Sequence, residues 1–210
     1  MPGLGGGRWA DWWARHQGYG ILVLATFVFG GLAGALALDA LGAGDRLALL
    51  ALVKEFLNLV AERSTADLNV LGVALLTNLK VLGLIYVMGV SVAGLPLILL
   101  AIFFRGFVLG FAVGFLLGTL HRVGLGLALV AVVLPNLVLV PAWLATGAGG
   151  LAFSWQLLAG HRRGASWRLS EAFLQYTVVA LVGAVEVGVG SALQALMAPT
   201  VLHWLAPWGL

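Results

Sequence analysis

Apolar residues run almost without interruption through five stretches of the chain: Tyr19 to Leu41, Asn69 to Val92, Leu95 to Leu120, Val123 to Ala148 and Leu169 to Met197. A helix rises about 1.5 Å per residue, so roughly 20 residues cross a hydrocarbon core and each stretch is long enough. None shows the every-second-residue alternation of a barrel strand, and a helix satisfies its own backbone in lipid. The predicted fold class is all-α: a polytopic integral membrane protein of five transmembrane helices.

Between the first two stretches the pattern changes. Over Asp45 to Arg63, Leu49, Leu52, Phe56 and Leu59 fall on one side of a helix, with Lys54, Glu55, Asn58 and Glu62 on another. This predicts an amphipathic helix lying at the membrane surface over 45–63. A shortened sixth span is the alternative, and it would hold Lys54, Glu55 and Asn58 at mid-depth. Ahead of the first stretch, three glycines in a row lead into Arg8, Trp9, Trp12, Trp13, Arg15 and His16. That is the pattern of a juxtamembrane anchor before a retained helix, since the apolar run is longer than that of a cleaved signal peptide.

Lys and Arg beside the spans set the orientation. With the N-terminus inside, Arg8, Arg15, Arg162, Arg163 and Arg168 are cytoplasmic, while Arg46, Lys54, Arg63 and Arg122 are outside. His161 to Arg168 is a compact basic loop without acids, which favours this choice. Residues 1–18 are then a cytoplasmic juxtamembrane segment and 19–197 one membrane domain with a basic cytoplasmic loop at 149–168. Residues 198–210 form an extracytoplasmic tail, where His203, Trp204, Pro207 and Trp208 read as an interface anchor.

Composition agrees with a membrane solvent: 62% of residues are hydrophobic and 9% charged, against roughly a quarter charged in soluble domains. The mean hydropathy is +1.08. The net charge of +3 comes from scattered basic residues rather than a run, which argues against nucleic-acid binding. The absence of cysteine removes disulfide, iron–sulfur and thiol chemistry, and His16, His121, His161 and His203 are far apart, so no metal or other cofactor is expected. No H-E-x-x-H, G-x-S-x-G or P-loop motif occurs, and Ser91 has no spaced base, so no catalytic residues are assigned.

Chemistry is expected inside the spans. Gly106, Gly110, Gly114 and Gly118 lay a bare strip along the third span, and Ala180, Ala184, Gly188 and Ala192 repeat it in the fifth; the first offers Gly30 and Gly34. Such strips let another backbone approach, by intramolecular packing, at a homodimer seam or along a pathway. Lys80, Arg105 and Glu186 lie near mid-span at compatible depths, and ionisable groups there need partners. The expected arrangement is a buried polar cluster of Asn78, Lys80, Arg105, Asn136 and Glu186, with Glu186 neutralising Lys80 or Arg105. The alternative has Arg105 snorkelling to the interface and Lys80 pairing with Asn78. Pro135 and Pro141 must kink or unwind the fourth span, and Asn136 is placed to cap the break. Broken helices often build transport sites, so a transporter or channel lined by Lys80, Arg105, Asn136 and Glu186 stands as a second function class.

The string TNLKVLGLIYVMGVSVAGLPLILLAIFFRGFVLGF, Thr77 to Phe111, followed by VVLPNLVLVPAWLATG, Val132 to Gly147, resembles the core of the stage II sporulation protein M family. The specificity lies in the order: Asn-Leu-Lys, Gly-Leu-Pro, a basic residue with Gly-Phe, then Pro-Asn and Pro-Ala. The resemblance implies a bacterial cell-membrane protein at the sporulation septum and engulfing membrane. Its partners would be two peptidoglycan-degrading enzymes, a lytic transglycosylase and an amidase/endopeptidase, which carry the wall chemistry while this chain localises them. Membrane lipid and, through the glycine strips, a second copy are the other partners considered.

Overall fold

A computed structural model describes the backbone of residues 7–62, 68–160 and 167–205, and within these the side chains of 17–55, 69–120, 124–159 and 169–197. The described residues are helical apart from short turns, with no strand among them. Six helices follow in order: α1 (Gly7–Leu36), α2 (Ala43–Glu62), α3 (Leu68–Gly89), α4 (Gly94–Leu127), α5 (Leu134–Gly160) and α6 (Trp167–Leu205). Five segments are long and apolar enough to cross a membrane: Gln17–Ala40, Asn69–Gly89, Gly94–Leu120, Gly124–Ala159 and Leu169–Met197. The chain is a multi-pass membrane protein, as its apolar pattern predicts.

The third and fourth spans are divided by a reversal about residues 121–123, although the winding continues to Leu127. A Cβ at Gly124 would fall on the Leu116 carbonyl, which a straight helix would carry about 12 Å away. Leu116, Leu127 and Ala128 form a small core at this hairpin, and Val53 of α2 packs against it. α2 therefore meets the bundle through Val53, whereas Leu52, expected on its apolar side, is exposed. The side chains of Phe56, Asn58, Leu59 and Glu62 lie outside the described residues.

Glycine explains a second departure. The run Gly147-Ala148-Gly149-Gly150 suggests an end to the fourth span at Ala148, yet α5 continues to Gly160 and Gly149 to Ser154 are all buried. These glycines are contact points: a Cβ at Gly149 would press on the Tyr176 ring, and one at Gly150 on Ile98. Residues 149–160 thus belong to the bundle rather than to a loop. The basic stretch 161–166 lies outside the described residues. At the far end, α6 runs through to Leu205, so part of the predicted tail is helical.

The main core joins Val23, Leu82, Ile85, Ile98, Ile102, Leu139, Trp143, Leu151 and Val187, drawn from all five spans. Ile21, Phe29, Leu32, Val73, Val87, Leu137 and Val185 point outward. In water that exposure would be costly; across a bilayer these side chains meet lipid. α1 and α4 run parallel, with Gly30 against Phe103, Gly34 against Phe107 and Gly110 against Gly31. α3 and α6 run antiparallel, with Asn78 bonded to Ser191 and Tyr86 to Thr177.

Candidate functional site

The α1–α4 contact is backbone on backbone. A Cβ at Gly106 would strike the Phe27 carbonyl and one at Gly110 the Gly31 carbonyl, while Gly30 and Gly34 meet the carbonyls of Phe103 and Phe107. At Gly114 the neighbours are Leu38 and Ala35. The strip is therefore spent on packing within the chain, and its partner is the glycine pair of the first span. Gly118 has no neighbouring atom within 4 Å and takes no part. Beside the strip, Phe103, Phe107, Phe111 and Phe115 form a ladder, with successive ring centroids 6.3, 6.3 and 6.5 Å apart. In α6 the expected small-residue face is only half used. Ala184 packs against the core, but Gly188 is open; Gly183 and Gly190 make the close approaches, to Thr146 and Leu139.

Deep in the bundle, side chains from three helices meet at Asn78, and Trp143 of α5 joins them through Arg105. Its amide oxygen accepts from Arg105 Nη2 at 3.4 Å, and its Nδ2 donates to Ser191 Oγ and Gln194 Oε1, each at 3.1 Å. The Arg105 guanidinium lies over the Trp143 ring, 4.1 Å from its centroid. An aromatic face attracts a cation most where water is excluded. Arg105 Nε, Trp143 Nε1 and Thr146 Oγ1 are buried without a hydrogen-bond partner. No acid faces Arg105 among the described residues, so the charge is held by an amide dipole and a π face.

Three members of the predicted cluster stand elsewhere. Lys80 is exposed, because two residues along a helix turn the side chain about 200° away from Asn78. Glu186 is half-buried and makes no ion pair with Lys80 or Arg105. It is turned about 140° from Ser191, the residue through which α6 reaches Asn78. Asn136 serves its own helix: Nδ2 donates to the Val132 carbonyl at 2.7 Å. The proline signal has a definite result here. Residues Ala128–Val133 take a wider, π-helical winding just before buried Pro135, and Asn136 covers one carbonyl of that turn. Pro141 lies inside α5 with its ring exposed.

A second polar cluster, unmarked by any sequence motif, closes the end of α3. The last carbonyls of a helix have no partner within it. Ser154 Oγ donates to the carbonyls of Gly89 and Ser91 at 2.8 and 3.0 Å, and Tyr176 OH reaches those of Ile85 and Tyr86 at 3.2 and 3.1 Å. Tyr86 stacks on Tyr176 with centroids 5.0 Å apart and bonds Thr177. Gly89 is required here, since a Cβ would collide with the Tyr176 hydroxyl and the Gly150 backbone.

Both clusters consist of amides, hydroxyls, aromatic rings and one guanidinium. Their geometry holds helices in register and caps exposed carbonyls. Against known proteins, the chain matches the family described as Stage II sporulation protein M over residues 23–198. Neither the curated proteins nor the solved structures give a match.

Proposed function

The chain belongs to the stage II sporulation protein M family, and from that premise we propose that it is a non-enzymatic membrane scaffold. It gathers septal peptidoglycan-degrading enzymes during engulfment of the forespore. The family match, extending over residues 23–198 and so through all five spans, carries this reading. Its partners are a lytic transglycosylase and an amidase/endopeptidase, which supply the wall chemistry. Two structural facts support a scaffold. Glycine-on-carbonyl contacts give α1 and α4 a fixed relation, and the Asn78 and Ser154 clusters join helices. The alternative, a transporter or channel, rests on Lys80, Arg105, Asn136 and Glu186 sharing a pathway, and no hydrogen bond or ion pair joins any two of them among the described residues.

Affinity purification of the tagged chain from detergent-solubilised sporulating cells tests the proposal. Both hydrolases are expected in the eluate. Recovery of neither, from a chain that is folded and membrane-inserted, overturns it.

A further inference from the structure

Near the middle of the spans, two ionisable side chains belong to neither polar cluster. Lys80 is exposed on the outer face of α3 and Glu186 is half-buried on α6, and neither has a hydrogen bond or ion pair among the described residues. A charge facing hydrocarbon is unfavourable unless it finds a partner or water. The two are opposite in sign and equal in depth. Along the antiparallel pair, Asn78 is bonded to Ser191 and Leu82 lies beside Gly183. Lys80, midway between Asn78 and Leu82, is therefore level with the middle of the Gly183–Ser191 stretch, which includes Glu186.

Within one chain they point apart. α6 meets α3 through Thr177 and Ser191 and α5 through Gly183 and Gly190. Glu186 lies between the two glycines, on the α5 flank. Around the outside of the bundle the order is thus Lys80 on α3, the exposed Val182, Val185 and Val189 of α6, then Glu186. A two-fold axis along the membrane normal, passing beside α6, sets α3 of one copy opposite the α5–α6 flank of the other. It also keeps every residue at its own depth.

We propose that the chain forms a symmetric dimer in the membrane, in which Lys80 of each copy pairs with Glu186 of the other. Charge complementarity at matched depth selects a second copy as the occupant of this face. Gly83 on α3, one turn from Lys80, has open space where a Cβ would sit, so the partner's helix can approach α3 there. The proposal is independent of the hydrolase partners.

The chain has no cysteine, so a single Val185→Cys reporter beside the axis reads the dimer by oxidative cross-linking in native membranes. The reporter should cross-link to its own copy. Lys80→Glu or Glu186→Lys alone places like charges at both contacts and should lower the yield at least about tenfold. Co-expression of the two variants should restore it in the mixed dimer, because one chain then carries only acids at the two positions and the other only bases. Pairing within a chain would remain like-signed in that mixture, so restoration reports pairing between copies. If a charge reversal fails to insert, Lys80→Met should still lower the yield. No reporter cross-link, a mixture no better than either variant alone, or an unchanged yield in Lys80→Met would each overturn the proposal. The first is also the result expected if a foreign helix occupies this face.

Discussion

Gly110 on α4 lies so close to Gly31 on α1 that a Cβ at position 110 would fall on the Gly31 carbonyl. Gly110→Leu and Gly106→Leu must therefore push the two helices apart, at a cost of at least about 1–3 kcal/mol. Gly118→Leu, with open space around it, should leave stability unchanged. Thermal melting of the three purified variants in one detergent makes the comparison. Equal melting of Gly110→Leu and Gly118→Leu would show that α1 and α4 are not in contact.

Asn78 is the one hydrogen-bonding partner of the Arg105 guanidinium among the described residues. Asn78→Leu removes that acceptor and leaves a buried cation facing only a ring, at a cost on the order of 2–3 kcal/mol. Adding Arg105→Met removes the cation itself, and an apolar residue of similar volume often replaces a buried charge at no loss. The double variant should melt above Asn78→Leu alone. A further drop in the double variant would mean that Arg105 stabilises the bundle through contacts other than Asn78.

Ser154 and Tyr176 cover carbonyls at the end of α3 that would otherwise be orphaned in a buried site. Ser154→Ala and Tyr176→Phe change little volume, so each should cost about 1–2 kcal/mol through the lost hydrogen bonds. Because both act on one helix end, their combined effect should depart from the sum. A double-mutant cycle on chemical unfolding in mixed micelles checks this, and strict additivity would separate the two caps.

Five spans place the α2–α3 and α5–α6 connections on opposite faces of the membrane, whichever side holds the N-terminus. Single cysteines at Ser64 and Ala165, both outside the described residues, should react with an impermeant thiol reagent from opposite sides. Labelling of both from the same side would break the topology.

The spans were legible in the sequence because hydrocarbon demands long apolar runs, and each predicted span overlaps one of the five apolar helical segments. The fourth overran because Gly147, Gly149 and Gly150 resemble a break when they are contact points in a helix. The glycine strip was legible too, although which helix filled it depended on the fold. The polar cluster was legible in part. Asn78 and Arg105 meet, but Lys80 is turned away by its two-residue offset, and depth alone carries no information about the direction in which a helix faces. Ser154, Tyr176, Ser191 and Trp143 gave no signal because each acts on a partner far along the chain.

The scaffold role is tested most directly by following both hydrolases, fluorescently tagged, in sporulating cells of the native host with and without this chain. The account predicts that each enzyme loses its enrichment at the septal membrane when the chain is deleted and regains it when the chain is restored. Undiminished septal enrichment of both enzymes in the deletion strain would contradict it.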